Sequence, residues 1–155
     1  MSKVYLVRHG DYEHKSGGLT SKGADQATSI GILLGKREKE YILMTSPYPR
    51  TVQTAQHIRN YIKCVAFIEN QLLREYLGSE DWVRMEERAS IALNMAYGVQ
   101  KCDVIIVSHQ AVLQIMVGEI TGRDAKSIRI PKGTVYEIEV KTFVRIRDYT
   151  KLDKE

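Results

Sequence analysis

A short apolar run near the start of the chain constrains the fold more than any other feature. Residues 4–7 read Val-Tyr-Leu-Val and are followed directly by Arg8, His9 and Gly10. An apolar, partly β-branched run of this length indicates a buried strand that ends where the charged residues begin. In an open α/β sheet the carboxyl ends of the strands form the ligand-binding crevice, and a glycine there allows close backbone approach. The sequence therefore predicts a cation and a nucleophile at this edge of a sheet.

Two further predicted strands also lead to charged or ionisable residues. Residues 41–46 lead to Arg50, and residues 103–107, the most apolar run, lead to His109. Because the carboxyl ends of parallel strands share one edge of a sheet, we expect all three strand ends to meet there. A phosphate is the ligand that such a group of cations and imidazoles would suit.

Helical and strand patterns alternate along the rest of the chain. We predict helices from a Thr20 cap to about residue 36, after Arg50 to about 62, at 81–97, and at 111–120 with Gly122 as its stop; a strand at 65–68; an irregular segment at 71–79; and a hairpin of 134–140 and 143–149. This order predicts a three-layer α/β fold, in which a mostly parallel sheet has helices on both faces and a C-terminal antiparallel edge hairpin. The 155 residues fit a single domain, 1–155.

The composition argues against several other classes of protein. The chain carries 23 Lys and Arg against 19 Asp and Glu, but these charges are scattered, and no stacking aromatics lie between them. We therefore expect a basic surface that favours anionic substrates, and no nucleic-acid partner.

Cysteine usage and hydropathy point to the location of the protein. Cys64 and Cys102 have no Cys or His neighbour at zinc spacing, so we expect two buried thiols of the kind found in a reducing cytosol. The N-terminus lacks a signal-peptide pattern, and no apolar run approaches membrane-spanning length. The expectation is a cytoplasmic protein with no membrane partner. The sequence leaves its oligomeric state open.

The residues at the predicted strand ends match the needs of phosphoryl transfer. A phosphoryl group in transfer spreads negative charge over three equatorial oxygens, so a site needs fixed cations around it and a nucleophile in line. The guanidinium groups of Arg8 and Arg50 can fork onto those oxygens. Of His9 and His109, one can attack phosphorus and the other can donate to an oxygen; spacing alone does not rank them.

Four motifs in order resemble the histidine phosphatase superfamily, also called phosphoglycerate-mutase-like. They span residues 3–122 and are Arg8-His9-Gly10 after a strand; Leu19-Thr20 with Gly23, Gln26 and Ala27; Ser46-Pro47 with Arg50, Thr54 and Ala55; and Ser108-His109 after Val-Ile-Ile-Val. The resemblance implies a short, metal-independent and cofactor-independent phosphatase. It also implies that His9 is the nucleophile and forms a transient phosphohistidine, and that Arg8, Arg50 and His109 hold the phosphate. Neighbouring arginines would keep His9 neutral and able to attack.

The resemblance also implies an acid catalyst. Phosphatases and mutases of the family protonate the leaving group with a carboxylic acid before the long helix, and Glu75 stands in the similar segment at 73–78. A bound phosphate dianion would favour the protonated form of Glu75 that an acid catalyst needs, whereas Arg74 would favour the carboxylate. Small phosphohistidine phosphatases of the family lack this acid because imidazole leaves more easily than an alkoxide. Glu75 therefore favours phosphate esters, with a solvated loop carboxylate as the alternative interpretation.

The sequence departs from the longer mutases of the family in two segments. Only eight residues, 11–18, form the first loop, and Lys15 stands where the mutases have a substrate-binding asparagine. Only 27 residues, 76–102, separate Glu75 from the strand at 103–107, which leaves no room for the insertion that carries the mutases' lid. Without a lid to exclude water, hydrolysis should exceed transfer to a second substrate.

Candidate substrate contacts beyond the phosphate are fewer. Gln110 and Ala111 replace the small glycine pair that usually follows the second histidine. We expect further substrate-binding roles for Gly10, Lys15 and Gln110.

Other functions and site types remain open at this stage. The substrate would be a small phosphorylated metabolite or a phosphoprotein. Alternatives are a protein phosphohistidine phosphatase, a phosphoglycerate-mutase-type phosphotransferase, and a non-catalytic phosphate- or RNA-binding module. The charged residues could instead pair with carboxylates such as Asp11, or His9, His109 and Glu75 could hold a metal ion.

Overall fold

The computed structural model describes residues 2–76, 78–139 and 145–148. Their elements, in chain order, are β1 (Lys3–Arg8), α1 (Ser21–Gly35), β2 (Glu40–Thr45), α2 (Pro49–Arg59), β3 (Lys63–Glu69), α3 (Trp82–Tyr97), β4 (Asp103–Ser108), α4 (Gln110–Thr121), β5 (Val135–Glu139) and β6 (Arg145–Asp148). Short 3₁₀ turns occur at Gln71–Leu73 and Ala125–Ser127.

The strands form one mixed sheet in the order β3-β2-β4-β1-β5-β6. The first four in this order are parallel, while β5 runs antiparallel to β1, and β6 antiparallel to β5. The predicted three-layer α/β architecture with an antiparallel edge hairpin is therefore confirmed. The turn predicted between the two hairpin strands lies outside the described residues.

The register brings the ends of the three central strands to one level. Arg8 at the end of β1 pairs with Ser108 at the end of β4, and Thr45 at the end of β2 pairs with Val107. The residues that follow these strands therefore emerge side by side at one edge of the sheet.

Both faces of the sheet are covered, as its apolar strands require. In β1, Val4 and Leu6 belong to one core cluster, whereas Tyr5 and Val7 belong to the other. The first cluster is completed by apolar residues of α3 and α4, and the second by residues of α1 and α2. This two-sided burial explains why the strand reads as a continuous apolar run and not as an alternating one.

Strand pairing moves some element boundaries away from their predicted positions. β3 runs from Lys63 to Glu69, longer than the predicted 65–68, because it pairs with β2 along its whole length through a register shift. This edge strand is only half-buried and has polar residues at both ends, so the apolar residues used for the prediction cover only its middle. α2 correspondingly ends at Arg59, before the predicted 62.

Two expectations from composition can be compared with the structure. Cys64 and Cys102 are free thiols, but both are partly exposed and not buried as expected, because they lie at the outer strand β3 and just before β4. Within the described residues no helix is long and apolar enough to cross a membrane.

Candidate active site

The two predicted histidines meet at the carboxyl edge of the sheet. His9 directly follows β1, and His109 lies between β4 and α4, where it is the N-cap of that helix. Their ring centroids are 5.4 Å apart, and their exposed fractions are 2% and 1%. The sequence prediction that these strand ends converge on one small space therefore holds for both imidazoles.

A single hydrogen bond sets the orientation of His9. Its Nδ1 lies 2.8 Å from the carbonyl oxygen of Gly10, and since a carbonyl can only accept, Nδ1 carries the proton. The lone pair is then left on Nε2. Burial lowers the pKa of His9 to about 4, and the charges of Arg8, Arg50 and Lys132 add to this effect against the opposing hydrogen bond to Gly10. His9 is therefore neutral at pH 7, with Nε2 able to attack.

His109 is also neutral at pH 7. Burial lowers its pKa to about 2, with further contributions from His9, Arg50, Arg8 and Arg88. Its Nε2 lies 2.8 Å from the hydroxyl oxygen of Ser46, and its buried Nδ1 has no hydrogen-bond partner among the described residues. If the Ser46 hydroxyl donates to Nε2, the proton is on Nδ1 and can be donated to an anion. His109 thus needs no net charge to donate.

The Arg8 guanidinium group is held in place by neighbouring acceptors. One of its terminal nitrogens donates to the side-chain oxygen of Gln110 and to the carbonyl oxygen of Ile130, at 2.7 Å each. The Nε atoms of Arg8 and Arg50 are buried and have no partner among the described residues. Because an unpaired buried donor is costly, these two nitrogens indicate that the site is built to hold an anion.

Arg50 is the second residue of α2 and lies between aromatic rings. Its guanidinium carbon is 4.6 Å from the ring centroid of Tyr12 and 5.0 Å from that of Tyr48. It also forms an ion pair with Glu75. The structure therefore brings Glu75 to the site, although this side chain is 47% exposed.

The candidate substrate contacts Gly10, Lys15 and Gln110 have three different surroundings, and their substrate-binding roles stay predictions. The Gly10 amide donates to the Thr54 hydroxyl, and a Cβ on Gly10 would lie 2.5 Å from the carbonyl oxygen of Gly23. Its close approach is thus to the start of α1. Gln110 holds Arg8. Lys15 is exposed on the first loop, and no described contact joins it to the site.

Lys132 is a further cation at the site that sequence patterns did not predict. Its ammonium group is 3.4 Å from the Asp11 carboxylate and 5.1 Å from the ring centroid of Tyr12, whose ring also contacts His9. Lys132 lies just before β5, which runs antiparallel to β1, so the start of β5 is at the same edge as the end of β1. Lys132 could have been located only by knowing that β5 lies next to β1.

The alternative interpretations of the site can be tested against these contacts. Asp11 pairs with Lys132 and accepts from Thr20, whereas Arg50 pairs with the carboxylate of Glu75. Across the described part of the chain, no group of three or more His, Cys, Asp or Glu side chains is arranged to hold a metal ion.

The α/β fold that carries these two imidazoles and two guanidinium groups is shared with solved phosphatases. The α-ribazole phosphatase of Shigella flexneri is 20% identical, with 94% of this chain and 95% of that chain covered and a TM-score of 0.79. A mutant phosphoserine phosphatase of Entamoeba histolytica, in complex with phosphoserine, is 14% identical, with 94% and 95% covered and a TM-score of 0.76. The proposed phosphohistidine phosphatase SixA of Agrobacterium tumefaciens is 19% identical, with 95% and 96% covered and a TM-score of 0.72.

At these identities the structural similarity shows the fold, and sequence shows the family. The chain belongs to the histidine phosphatase superfamily, branch 1, whose family model matches residues 4–82. The matched part includes Arg8, His9, Arg50 and Glu75, while His109 lies beyond it. No curated protein matches the sequence. The superfamily and its phosphatase neighbours support a phosphatase.

Proposed function

We propose that this protein is a metal-independent phosphatase that hydrolyses phosphomonoesters through a phosphohistidine on His9. The observation that carries the proposal is the protonation and orientation of the His9 ring. Its proton is held on Nδ1 by the Gly10 carbonyl, its low pKa keeps it neutral, and the guanidinium groups beside it have unused donors. A neutral nucleophile among fixed cations is what attack on a phosphate dianion requires.

In the first step, Nε2 of His9 attacks phosphorus as the bond from phosphorus to the ester oxygen breaks. Arg8 and Arg50 stabilise the charge on the equatorial oxygens, and Nδ1 of His109 donates to one of them. Glu75, which is ion-paired with Arg50 in the structure, enters this step protonated once the phosphate dianion has replaced it on Arg50, and it gives that proton to the leaving alkoxide. In the second step, Glu75 takes a proton from water as the water oxygen attacks phosphorus, the bond from nitrogen to phosphorus breaks, and phosphate is released. His9 and Glu75 return to their starting states.

The presence of Glu75 favours esters among possible substrates. An alkoxide is a poor leaving group that needs a proton, and Glu75 lies next to Arg50 where a phosphate would bind. The α-ribazole and phosphoserine phosphatases that share the fold are named for small phosphorylated metabolites, which agrees with this preference. We infer a small phosphomonoester as substrate.

The test is to trap the intermediate. Rapid quenching in alkali during turnover of p-nitrophenyl phosphate should leave acid-labile phosphate on the wild-type protein and none on His9→Asn. Replacing Arg8 or Arg50 with Ala should cost about 3 kcal/mol of transition-state stabilisation, or roughly a hundredfold in turnover, by analogy with lost oxyanion donors. Full labelling of His9→Asn, or unchanged turnover after loss of either arginine, would refute the proposal.

A protein phosphohistidine phosphatase is the second candidate, favoured by the exposure of Glu75 and by the likeness to SixA. Phosphohistidine carries its own leaving group, a stable imidazole, so its hydrolysis should not depend on an acid. The test compares Glu75→Gln with the wild type on both kinds of substrate. If the variant loses ester hydrolysis but keeps phosphohistidine hydrolysis, and the wild type is much more active on phosphohistidine than on any ester, the second candidate replaces the first.

A further inference from the structure

Arg88 is a buried cation on α3 that the reaction above does not use. It is 8% exposed, in a helix whose other buried residues are apolar or small. Its guanidinium group forms a bidentate pair with Glu80, from Nε at 2.7 Å and from a terminal nitrogen at 2.9 Å. The pair neutralises the buried charge locally and fixes the plane of the guanidinium group.

The remaining donors of Arg88 bind the backbone that carries Glu75. One terminal nitrogen donates to the carbonyl oxygens of Leu72 at 2.8 Å and Arg74 at 2.5 Å, and the other donates to the Glu75 carbonyl at 3.1 Å. The Leu73 carbonyl between them accepts from the hydroxyl of Ser108 at 2.8 Å. Four consecutive carbonyls of the segment are therefore bound by side chains.

This arrangement replaces the secondary structure that the segment lacks. Only residues up to Leu73 lie in a 3₁₀ turn, and Glu75 follows in irregular backbone. Backbone carbonyls in such a segment would otherwise be free to reorient, and the side chain of Glu75 is itself half-exposed. The rigid helix α3 and the end of β4 instead hold the segment from two sides.

We propose that Arg88 is a positioning residue that fixes the backbone of Glu75, so that its carboxyl group reaches the leaving oxygen. The inference rests on the proposed acid role of Glu75. Arg88 binds the carbonyl of Glu75 and not its carboxylate, and its own charge is paired with Glu80. It therefore orients the acid without competing for its proton. Misplacement of a catalytic group by about 1 Å can cost a hundredfold in rate.

Arg88→Lys keeps the charge but cannot make five hydrogen bonds. We expect kcat/KM for an alkyl phosphate, which reports the first step, to fall about tenfold to a hundredfold. The value for p-nitrophenyl phosphate, whose leaving group needs no proton, should stay within about threefold, because the base role of Glu75 in the second step does not enter kcat/KM. In a Glu75→Gln background the same substitution should cause no further loss on the alkyl phosphate. Arg84→Lys is the matched control, one turn earlier on α3 and 78% exposed, and should change neither rate.

Equal losses on both phosphates, or the same loss with and without Glu75, would overturn the positioning role and leave Arg88 as a structural residue. Failure of the acid role itself has a separate sign: Glu75→Gln alone would then leave the ratio of alkyl to aryl rates unchanged. If Arg88→Lys does not fold, Glu80→Gln is the second variant, because it leaves the hydrogen bonds to the carbonyls in place but loosens the guanidinium group. It should lower the ratio of alkyl to aryl phosphate rates, as Arg88→Lys does. An unchanged ratio would overturn the proposal.

Discussion

The protonation state of His9 depends mainly on burial, which lowers its pKa, and nearby cations lower it further against the hydrogen bond to Gly10. The pKa of its imidazole is lowered to about 4, and Lys132 is one of three cations that contribute. We expect Lys132→Met to raise this pKa, because one charge that opposes the imidazolium is removed, but to leave it below the ordinary value of about 6.5, because burial remains. Titration of the His9 ring by NMR, assigned with His9→Asn, measures the shift.

Lys15 provides the control for this titration. It is an exposed lysine on the loop that follows His9, and the cations that act on His9 do not include it. Lys15→Met changes the net charge by the same amount, so an equal shift in both variants would indicate a general charge effect. A pKa for His9 that stays at about 4 in Lys132→Met would contradict the assigned contribution.

Individual site residues differed in how far the sequence could predict them. Arg8 ends β1, and His9, Arg50 and His109 follow parallel strands within a few residues, so local patterns were enough to place them together. Lys132 could not be placed in this way, because its position depends on which strand lies next to β1.

At the level of secondary-structure elements, the backbone of the first loop packs directly against Gly23 at the start of α1. A Cβ on Gly23, in the first turn of α1, would lie 1.9 Å from the carbonyl oxygen of Asp11. Alanine favours helices over glycine, so propensity alone predicts that Gly23→Ala is stabilising. We expect instead a loss of about 1–3 kcal/mol in the free energy of unfolding and reduced turnover, because the loop beside His9 must move.

Gly98→Ala is the matched control, measured by the same urea unfolding experiment. Gly98 ends α3 with φ −72°, and the nearest atom to an added Cβ, the carbonyl oxygen of Met95, would be 3.4 Å away. The unfolding free energy should stay unchanged or rise by up to about 1 kcal/mol. Similar stability of the two variants would show that the first loop yields without cost.

Helix caps were predictable, whereas the partners of the caps were not. Thr20 caps α1 by accepting from the Gly23 amide, as its position before a helical pattern predicts. The same hydroxyl also donates to the Asp11 carboxylate, which ties the helix start to the active-site loop. Such a contact depends on the loop's path, which sequence patterns do not describe.

For the molecule as a whole, strand order was the information missing from the sequence. Alternating elements predict layers and handedness, but many orders of the sheet satisfy them. The observed order puts β1 between β4 and β5, so the site receives His109 from one neighbour and Lys132 from the segment before the other. The Arg88 contacts were beyond prediction for a related reason, since they join α3 to a segment without regular structure.

In the proposed mechanism, the short connection between Glu75 and β4 favours transfer of the phosphoryl group to water. Most of it is α3, which packs on the sheet core, and the side chain of Glu75 remains 47% exposed. A phosphoenzyme that transfers its phosphoryl group to a second hydroxyl must exclude water, usually beneath a closing segment. With 3-phosphoglycerate we therefore expect inorganic phosphate and glycerate as products, and no 2-phosphoglycerate beyond the His9→Asn blank, when the reaction is followed by ³¹P NMR. Isomerisation that outpaces phosphate release would instead assign the protein to mutase-type transfer and would require the described open site to close around its substrate.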